Sequence, residues 1–248
     1  MKIGIIGVGH IGKTLALKLA AAGHELVVAN SRGPENINAA VLETGAQAVT
    51  IQQAVKEKDV IILSIPLNQI PQIAPLFAEV KETTTIIDTS NYYPARDSRI
   101  DRIEAGEAES LWVSQQLGRS IVKAWNAIGS DSLVKNGKPA GSPDRIAIPF
   151  ASDREVDRTI AEQLIQETGF DAYYTGPLAD SWRQQPGAPI YCTDLILDEL
   201  ALRVDTAEKQ RLPKRRDLAV AAIMERMSSP TTNPDAEFGL RLSRALYL

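Results

Sequence analysis

Six residues near the amino terminus have types and spacing that could do chemistry. Gly7-Val8-Gly9-His10-Ile11-Gly12 is a G-x-G-x-x-G. The spacing predicts a strand over 2–7 and a helix from about residue 10, so the motif falls on a strand-to-helix turn. Each glycine then has a task. Gly7 permits the tight turn, Gly9 lets a pyrophosphate approach the backbone, and Gly12 allows the helix to lie close on the strand. The phosphates of a dinucleotide would meet the positive end of the helix. The alternative is a glycine-rich turn that binds no nucleotide.

About 20 residues further on, an NAD site would place Asp or Glu against the ribose 2′-hydroxyl. This chain has Asn30-Ser31-Arg32 at that place. No carboxylate stands in that turn to repel a 2′-phosphate. Ser31 can donate a hydrogen bond, and Arg32 can stack on adenine and pair with phosphate. The turn therefore points to NADP(H), the alternative being a solvated surface arginine. Ser64-Ile65-Pro66 ends a later strand. Pro66 would stiffen the loop beside the cofactor and Ser64 would reach the ribose; otherwise Pro66 merely opens a helix.

These residues need a frame, and the hydrophobic pattern supplies one. Strands are expected at 2–7, 25–30, 60–65, 84–89 and 121–125, with helices at 11–22, 36–44, 51–56 and 70–80 between them. The run 60–65 is uninterruptedly apolar, as a strand buried on both faces should be. This βαβ rhythm implies an α/β fold, a doubly wound parallel Rossmann sheet. Further strands are expected at 145–150 and 171–174, around a helix at 154–168. A small, mainly helical carboxy-terminal region follows, with helices at 194–206 and 214–227 and a polar stretch at 229–233. The division expected is 1–178 for the NADP-binding domain and 179–248 for a part that covers an acceptor cleft and forms a dimer.

On the acceptor side, candidates lie in loops after the later strands. Asn91-Tyr92-Tyr93 follows one strand and Asn126 another. Lys123 and Asn126 stand three apart on a strand and so point to opposite faces. Asn126 is the one expected to face a ligand and to act in catalysis; Lys123 is either functional or half of a structural ion pair. Trp182, Arg183 and Gln185 would line an anionic or aromatic pocket, or pack between subunits. No His, Cys or carboxylate spacing suggests a metal site. Neither of the two histidines, His10 and His24, is placed as a general acid.

Several segments together resemble the NADPH-dependent coenzyme F420 reductases. These are Gly7–Gly12, Asn30-Ser31-Arg32, Ser64-Ile65-Pro66, Asp88-Thr89-Ser90-Asn91-Tyr92-Tyr93-Pro94, Val122-Lys123-Ala124-Trp125-Asn126-Ala127-Ile128, Ile148-Pro149-Phe150-Ala151-Ser152-Asp153 and Thr175-Gly176-Pro177-Leu178. The resemblance runs over residues 1–190. It implies a Rossmann domain with a small carboxy-terminal region, a homodimer, and cofactor contacts from Gly7, Val8, Gly9, His10, Ile11, Gly12, Asn30, Ser31, Arg32, Ser64, Ile65, Pro66 and Asn91. It also implies coenzyme F420, a deazaflavin, as second substrate. The segment Ala179–Gly187 looks like a bacterial subgroup, and the chain beyond Tyr191 is longer and more charged than in the archaeal deazaflavin enzymes. Hydride transfer between such rings asks the protein for stacking and water exclusion. Two other readings share the frame: an NADPH-dependent reductase of a small carbonyl or imine, and a non-catalytic NADP-binding protein.

Composition narrows the field. The chain has 248 residues, a net charge of −4 and one cysteine, Cys192. An acidic balance argues against nucleic acid as partner. One cysteine cannot form an internal disulfide and fits a reducing compartment. Met1-Lys2 leads directly into the first strand, and no apolar run nears the roughly 20 residues a membrane span needs. The expectation is a cytoplasmic protein acting on a small-molecule hydride donor or acceptor, without membrane or nucleic acid.

Overall fold

The computed structural model describes residues 1–227 and 235–248; the polar stretch 229–233 lies outside the described residues. The strands are β1 Lys2–Ile6, β2 Glu25–Ala29, β3 Gln47–Ala48, β4 Val60–Leu63, β5 Thr85–Asp88, β6 Val122–Lys123, β7 Ala147–Ser152 and β8 Asp171–Tyr174. The helices of the first half are α1 His10–Ala21, α2 Ala39–Leu42, α3 Ile51–Val55, α4 Ile70–Ile73, α5 Pro94–Asp97, α6 Asp101–Glu104 and α7 Glu109–Leu117. Those of the second half are α8 Ser130–Lys135, α9 Glu155–Glu167, α10 Leu197–Arg203, α11 Leu212–Arg226 and α12 Ala236–Tyr247.

The eight strands form one sheet in the order β3-β2-β1-β4-β5-β6-β7-β8. The first six are the doubly wound parallel arrangement. One pairing departs from it: β7 runs antiparallel to β6, through Val122↔Ser152 and Lys123↔Ala151. Strand β8 is again parallel to β7.

Alternation along the central strands fills both layers. Ile3, Ile5, Val60, Ile62 and Ile87 enter one hydrophobic cluster with Leu15 and Leu19 of α1 and Leu164 and Ile165 of α9. Ile6, Ile61, Leu63 and Ile86 enter the other, with Ala54, Ile70, Trp112 and Val113. The first cluster continues unbroken through Trp125, Ile148 and Phe150 to Phe170. The added strands thus extend the same core.

Four helical expectations change for local reasons. The stretch 36–44 yields only a 3₁₀ turn at Pro34–Asn36 and the short α2, because the Asn38 side chain caps Ala40 and restarts the chain there. The stretch 70–80 breaks into α4 and a 3₁₀ segment at Ala74–Phe77, each with proline in its first turn. Proline there has no N–H with which to continue a helix. The stretch 194–206 is helical only from Leu197. Its start is drawn to the sheet, where Ala147 N–H donates to Leu195 O at 2.9 Å and Ile146 bridges Ile196. Helix α11 begins at Leu212, with Pro213 in its first turn, and α12 has no counterpart in the sequence reading.

Candidate functional site

The glycine loop has the geometry its spacing implied. Gly7 has φ +95°, a left-handed value that glycine adopts without strain. A Cβ there would overlap the Ser64 carbonyl, lying 2.7 Å from its carbon. A Cβ on Gly12 would overlap the Gly7 oxygen and lie 3.1 Å from Ser64 Cβ. Gly9 is different: it is exposed, and a Cβ would meet nothing within 4 Å. Gly7 and Gly12 are thus packed from below while Gly9 faces open space. Helix α1 starts here with no side-chain cap and no acid in its first turn. Its first N–H groups have no intrahelical acceptor and point towards that space. His10 is exposed, while Val8 and Ile11 are half-buried against the core. Ser64 forms the floor of the loop; its N–H donates to Ile6 O at 2.8 Å. Ile65 is half-buried and Pro66 exposed beside it.

Asn30 organises the next turn. Its Oδ1 accepts from Arg32 N–H at 2.9 Å and its Nδ2 donates to Asn36 O at 3.3 Å. Asn36 Nδ2 donates to Arg32 O at 2.6 Å. This leaves Ser31 and Arg32 exposed at the tip. Among the described residues, Arg32 is in no ion pair. The nearest carboxylate, Glu35, lies against Gly33 and accepts from Asn36 Nδ2 at 2.8 Å.

Beyond β5 and β6, the amides form a closed network. Asn126 is 2% exposed. Its Nδ2 donates to Asn91 Oδ1 at 3.0 Å and to Gln184 O at 2.9 Å. Its Oδ1 accepts from Gln184 Nε2 at 2.8 Å. Asn91 Nδ2 returns a bond to Asn126 O at 2.8 Å. The structure therefore joins Asn91 and Asn126, and it uses the Asn126 amide to hold loops together. Gln184, which the sequence did not single out, also donates to Lys123 O and Pro149 O and accepts from Thr175 Oγ1. Trp125, immediately before Asn126, has φ +55°, a strained value for a bulky side chain.

Lys123 is half of a structural ion pair. Its Nζ lies 2.6 Å from Asp88 Oδ2, both side chains are fully buried, and it also donates to Ser90 O. Glu109 stands beside this pair. Its Oε1 accepts from Gln185 Nε2 at 3.0 Å, and its Oε2 is buried without a partner among the described residues. Burial pushes its carboxyl up to about 7, against the opposing pull of Lys123, the Tyr92 N–H and Arg216. Trp182 carries Arg183 at 4.6 Å and Lys209 at 5.8 Å over its ring.

A cavity of about 420 Å³ opens past the carboxyl ends of β5 and β6. Its polar side includes Tyr93, Ser132, Tyr191, Asp194, Arg216 and Tyr247. The Tyr93 and Tyr191 hydroxyls are 2.7 Å apart. Burial raises both phenols, and that of Tyr247, so all three stay protonated. Burial likewise pushes the Cys192 thiol up to about 12, which keeps it unreactive. Cys192 and Asp194 have φ +52° and +50°. Both of these left-handed residues line the cavity. A larger cavity of about 630 Å³, lined by Gln52, Pro75 and Thr84, lies at the amino end of β5. Ligands of such sheets bind at the opposite, carboxyl end, so the 420 Å³ cavity is the candidate acceptor site. Arg216, Tyr191 and Tyr247 were not among the site residues the sequence singled out; Arg216 falls within the helix expected at 214–227. Among the described residues no group of three His, Cys, Asp or Glu could hold a metal, and no helix is long and apolar enough to cross a membrane.

Residues 2–92 match the family described as NADP oxidoreductase, coenzyme F420-dependent. Over that stretch the resemblance read from the sequence holds. An Escherichia coli K12 protein, 2-hydroxy-3-oxopropionate reductase, is 36% identical over 110 residues, 41% of this chain and 36% of its own length. The chain spans only 35–43% of the curated relatives it matches. Among solved structures, a hypothetical protein, SMa0349 from Sinorhizobium meliloti, superposes with TM-score 0.66 at 27% identity. The match covers 79% of this chain and 95% of that one. A candidate F420-dependent NADP reductase of Arthrobacter sp. FB24 gives TM-score 0.58 at 17% identity, over 90% of this chain and 94% of that one. The second likeness concerns the fold.

Proposed function

We propose that this chain is an NADPH-dependent oxidoreductase whose N-terminal segment, matched to that NADP oxidoreductase family, holds the dinucleotide. Its hydride partner is a small molecule in the 420 Å³ cavity. The observation that carries this reading is the glycine loop: packed at Gly7 and Gly12, open at Gly9, and accompanied by the exposed Ser31-Arg32 tip. The first-turn N–H groups of α1 would take the pyrophosphate, and Ser31 and Arg32 the 2′-phosphate. When bound, the nicotinamide supplies or accepts the hydride. Asn126 acts in this reading as a positioning residue, fixing Asn91 and Gln184 through its amide. Coenzyme F420 is one acceptor that the family description supports. The same reading places the protein in the cytoplasm as a homodimer.

A second reading, reduction of a small carbonyl or imine, gains from the cavity itself. The sequence offered no proton donor, but the Tyr93–Tyr191 pair presents buried hydroxyls there. A hydroxyl held protonated can donate to a developing alkoxide or amine. The E. coli relative is, by its name, a reductase of a hydroxy-oxo acid.

The test has two arms. Calorimetric titration should show NADPH binding more tightly than NADH, and Arg32→Ala should remove most of that preference. A charged phosphate contact is worth on the order of 1.5–3 kcal/mol, about 10- to 150-fold. Equal affinity for the two cofactors would refute the NADP assignment. NADPH oxidation against deazaflavin, flavins, quinones and small carbonyls then separates the acceptors. Binding without turnover of any of them would favour a regulatory NADP-binding protein.

A further inference from the structure

We infer that Arg216 is the anion-binding residue of the acceptor cavity, and that the acceptor is a compact molecule carrying a carboxylate or similar anion beside its reducible group. This rests on the cavity being the acceptor site. Arg216 is 6% exposed, yet lines the 420 Å³ cavity. Its guanidinium carbon sits 5.3 Å from the centre of the Tyr92 ring. Stacking leaves the edge N–H donors available in the plane of the group. Among the described residues, only Nε has a partner, Asp217 at 2.8 Å, and that carboxylate is 63% exposed. An exposed partner is screened by water and balances a buried charge weakly.

The other side of Arg216 faces a cavity of about 50 Å³ shared with Glu109. Glu109 is a weak counter-ion there, since burial holds much of its population neutral near pH 7. The acids on the rim of the 420 Å³ cavity are committed elsewhere. Asp131 pairs with Lys135 at 2.9 Å. Asp194 accepts from Ser132 at 2.6 Å and has Arg244 nearby. Asp235 caps α12 through the Glu237 N–H at 3.0 Å. A permanently charged guanidinium is thus left over at the end of the cavity where the Tyr93, Tyr191 and Tyr247 hydroxyls gather. Arginine binds carboxylate and phosphate through paired N–H donors. Along the same face of α11, Ala219, Val220, Ile223 and Met224, with Leu240 of α12, form an apolar wall for the rest of the ligand. At about 420 Å³ the cavity lies towards the small end of ligand sites, which span roughly 300–1,000 Å³.

The probes are 3-phenylpropionate and its uncharged isostere 3-phenylpropanamide, titrated calorimetrically into the full chain saturated with NADP⁺. Saturation occupies the Arg32 and α1 anion sites. The acid should bind at least about tenfold more tightly than the amide, the range for a charge-assisted contact. Arg216→Gln should bring that ratio near one, and Arg216→Lys should restore part of it. NADPH affinity should be unchanged in both variants. Equal binding of acid and amide to the native chain, no binding of either, or a preference that survives Arg216→Gln would each overturn the proposal. If Arg216→Gln does not fold, the native ratio and its decline between low and high salt still decide. Failure of the underlying reading shows separately, as absence of NADPH binding by the native chain.

Discussion

Replacing Glu109 by glutamine should remove a loss of stability that the native chain suffers as pH rises from 4.5 to about 7. The carboxyl is 1% exposed, and burial lifts it from 4.5 to about 7, a rise of 7 − 4.5, or about 2.5 units. At 1.36 kcal/mol per unit, that is about 3 kcal/mol. Below pH 4.5 the group is protonated in both folded and unfolded chains and has no effect. Between 4.5 and about 7 the unfolded chain releases the proton and the folded chain keeps it. Native stability therefore falls as pH rises through that window and levels off above it. Glutamine preserves the Gln185 contact and cannot ionise. Urea unfolding of native protein and Glu109→Gln, at intervals from pH 4.5 to 8.5, isolates the term, because all other titrations cancel in the difference. The variant should gain on the native chain by about 3 kcal/mol across the series, or roughly 6–12 °C in melting temperature for a chain of this length. A difference that stays constant with pH within about 1 kcal/mol would refute the reasoning, and would mean that Lys123 and Arg216 hold the carboxylate ionised in the folded chain.

The glycine loop gives a contrasting pair. Gly9→Val should abolish NADPH binding in a calorimetric titration while leaving the melting temperature within a few degrees, since no protein atom lies near the new side chain. Gly12→Ala should lower stability, because its methyl group overlaps the Gly7 carbonyl; a stable Gly12→Ala protein would show that the helix can shift. Light scattering at micromolar concentration should give twice the 27.0 kDa chain mass. The exposed Leu218 and Met224 of α11, 49% and 55% accessible, are the candidate contact. Leu218→Glu should then yield the monomer, and a monomeric native chain would refute the assembly.

What was legible in the sequence is what periodicity and glycine spacing encode. Strands β1, β2 and β4 to β8, helices α1, α3 and α9, and the packed and open glycines follow from local rules, whereas β3 and α5 to α8 were not among the expected elements. The antiparallel β7 was not legible, because strand direction depends on where the chain has travelled between Lys123 and Ala147. Short helices were lost where a side chain outbid propensity, as Asn38 does at α2. On the acceptor side, Asn126 could be picked from its place after a strand, but its buried amide partners could not. Gln184 lies 58 residues away and meets it only in the folded chain. Arg216 and Glu109 carried no signal in the sequence, since burial of a charged residue on a helix is set by what folds over it.

The stitching of residues 184–196 to the sheet has a structural consequence. Gln184 is fixed to Lys123, Asn126 and Pro149, Cys192 N–H donates to Ala127 O at 2.9 Å, and Leu195 accepts from Ala147. A hydrophobic core continuous from Ile3 to Phe170 ties the frame beneath the glycine loop to the strands that carry these anchors. In the proposed reading, the frame that holds the dinucleotide is thus assembled as the chain folds. Helices α11 and α12 pack on this stitched segment, with Leu212, Ala219 and Tyr247 against Ala127, Ala188 and Tyr191. In the proposed reading the two binding partners are therefore anchored by different parts of the chain: the sheet sets where the dinucleotide lies, and α11 brings Arg216 to the cavity.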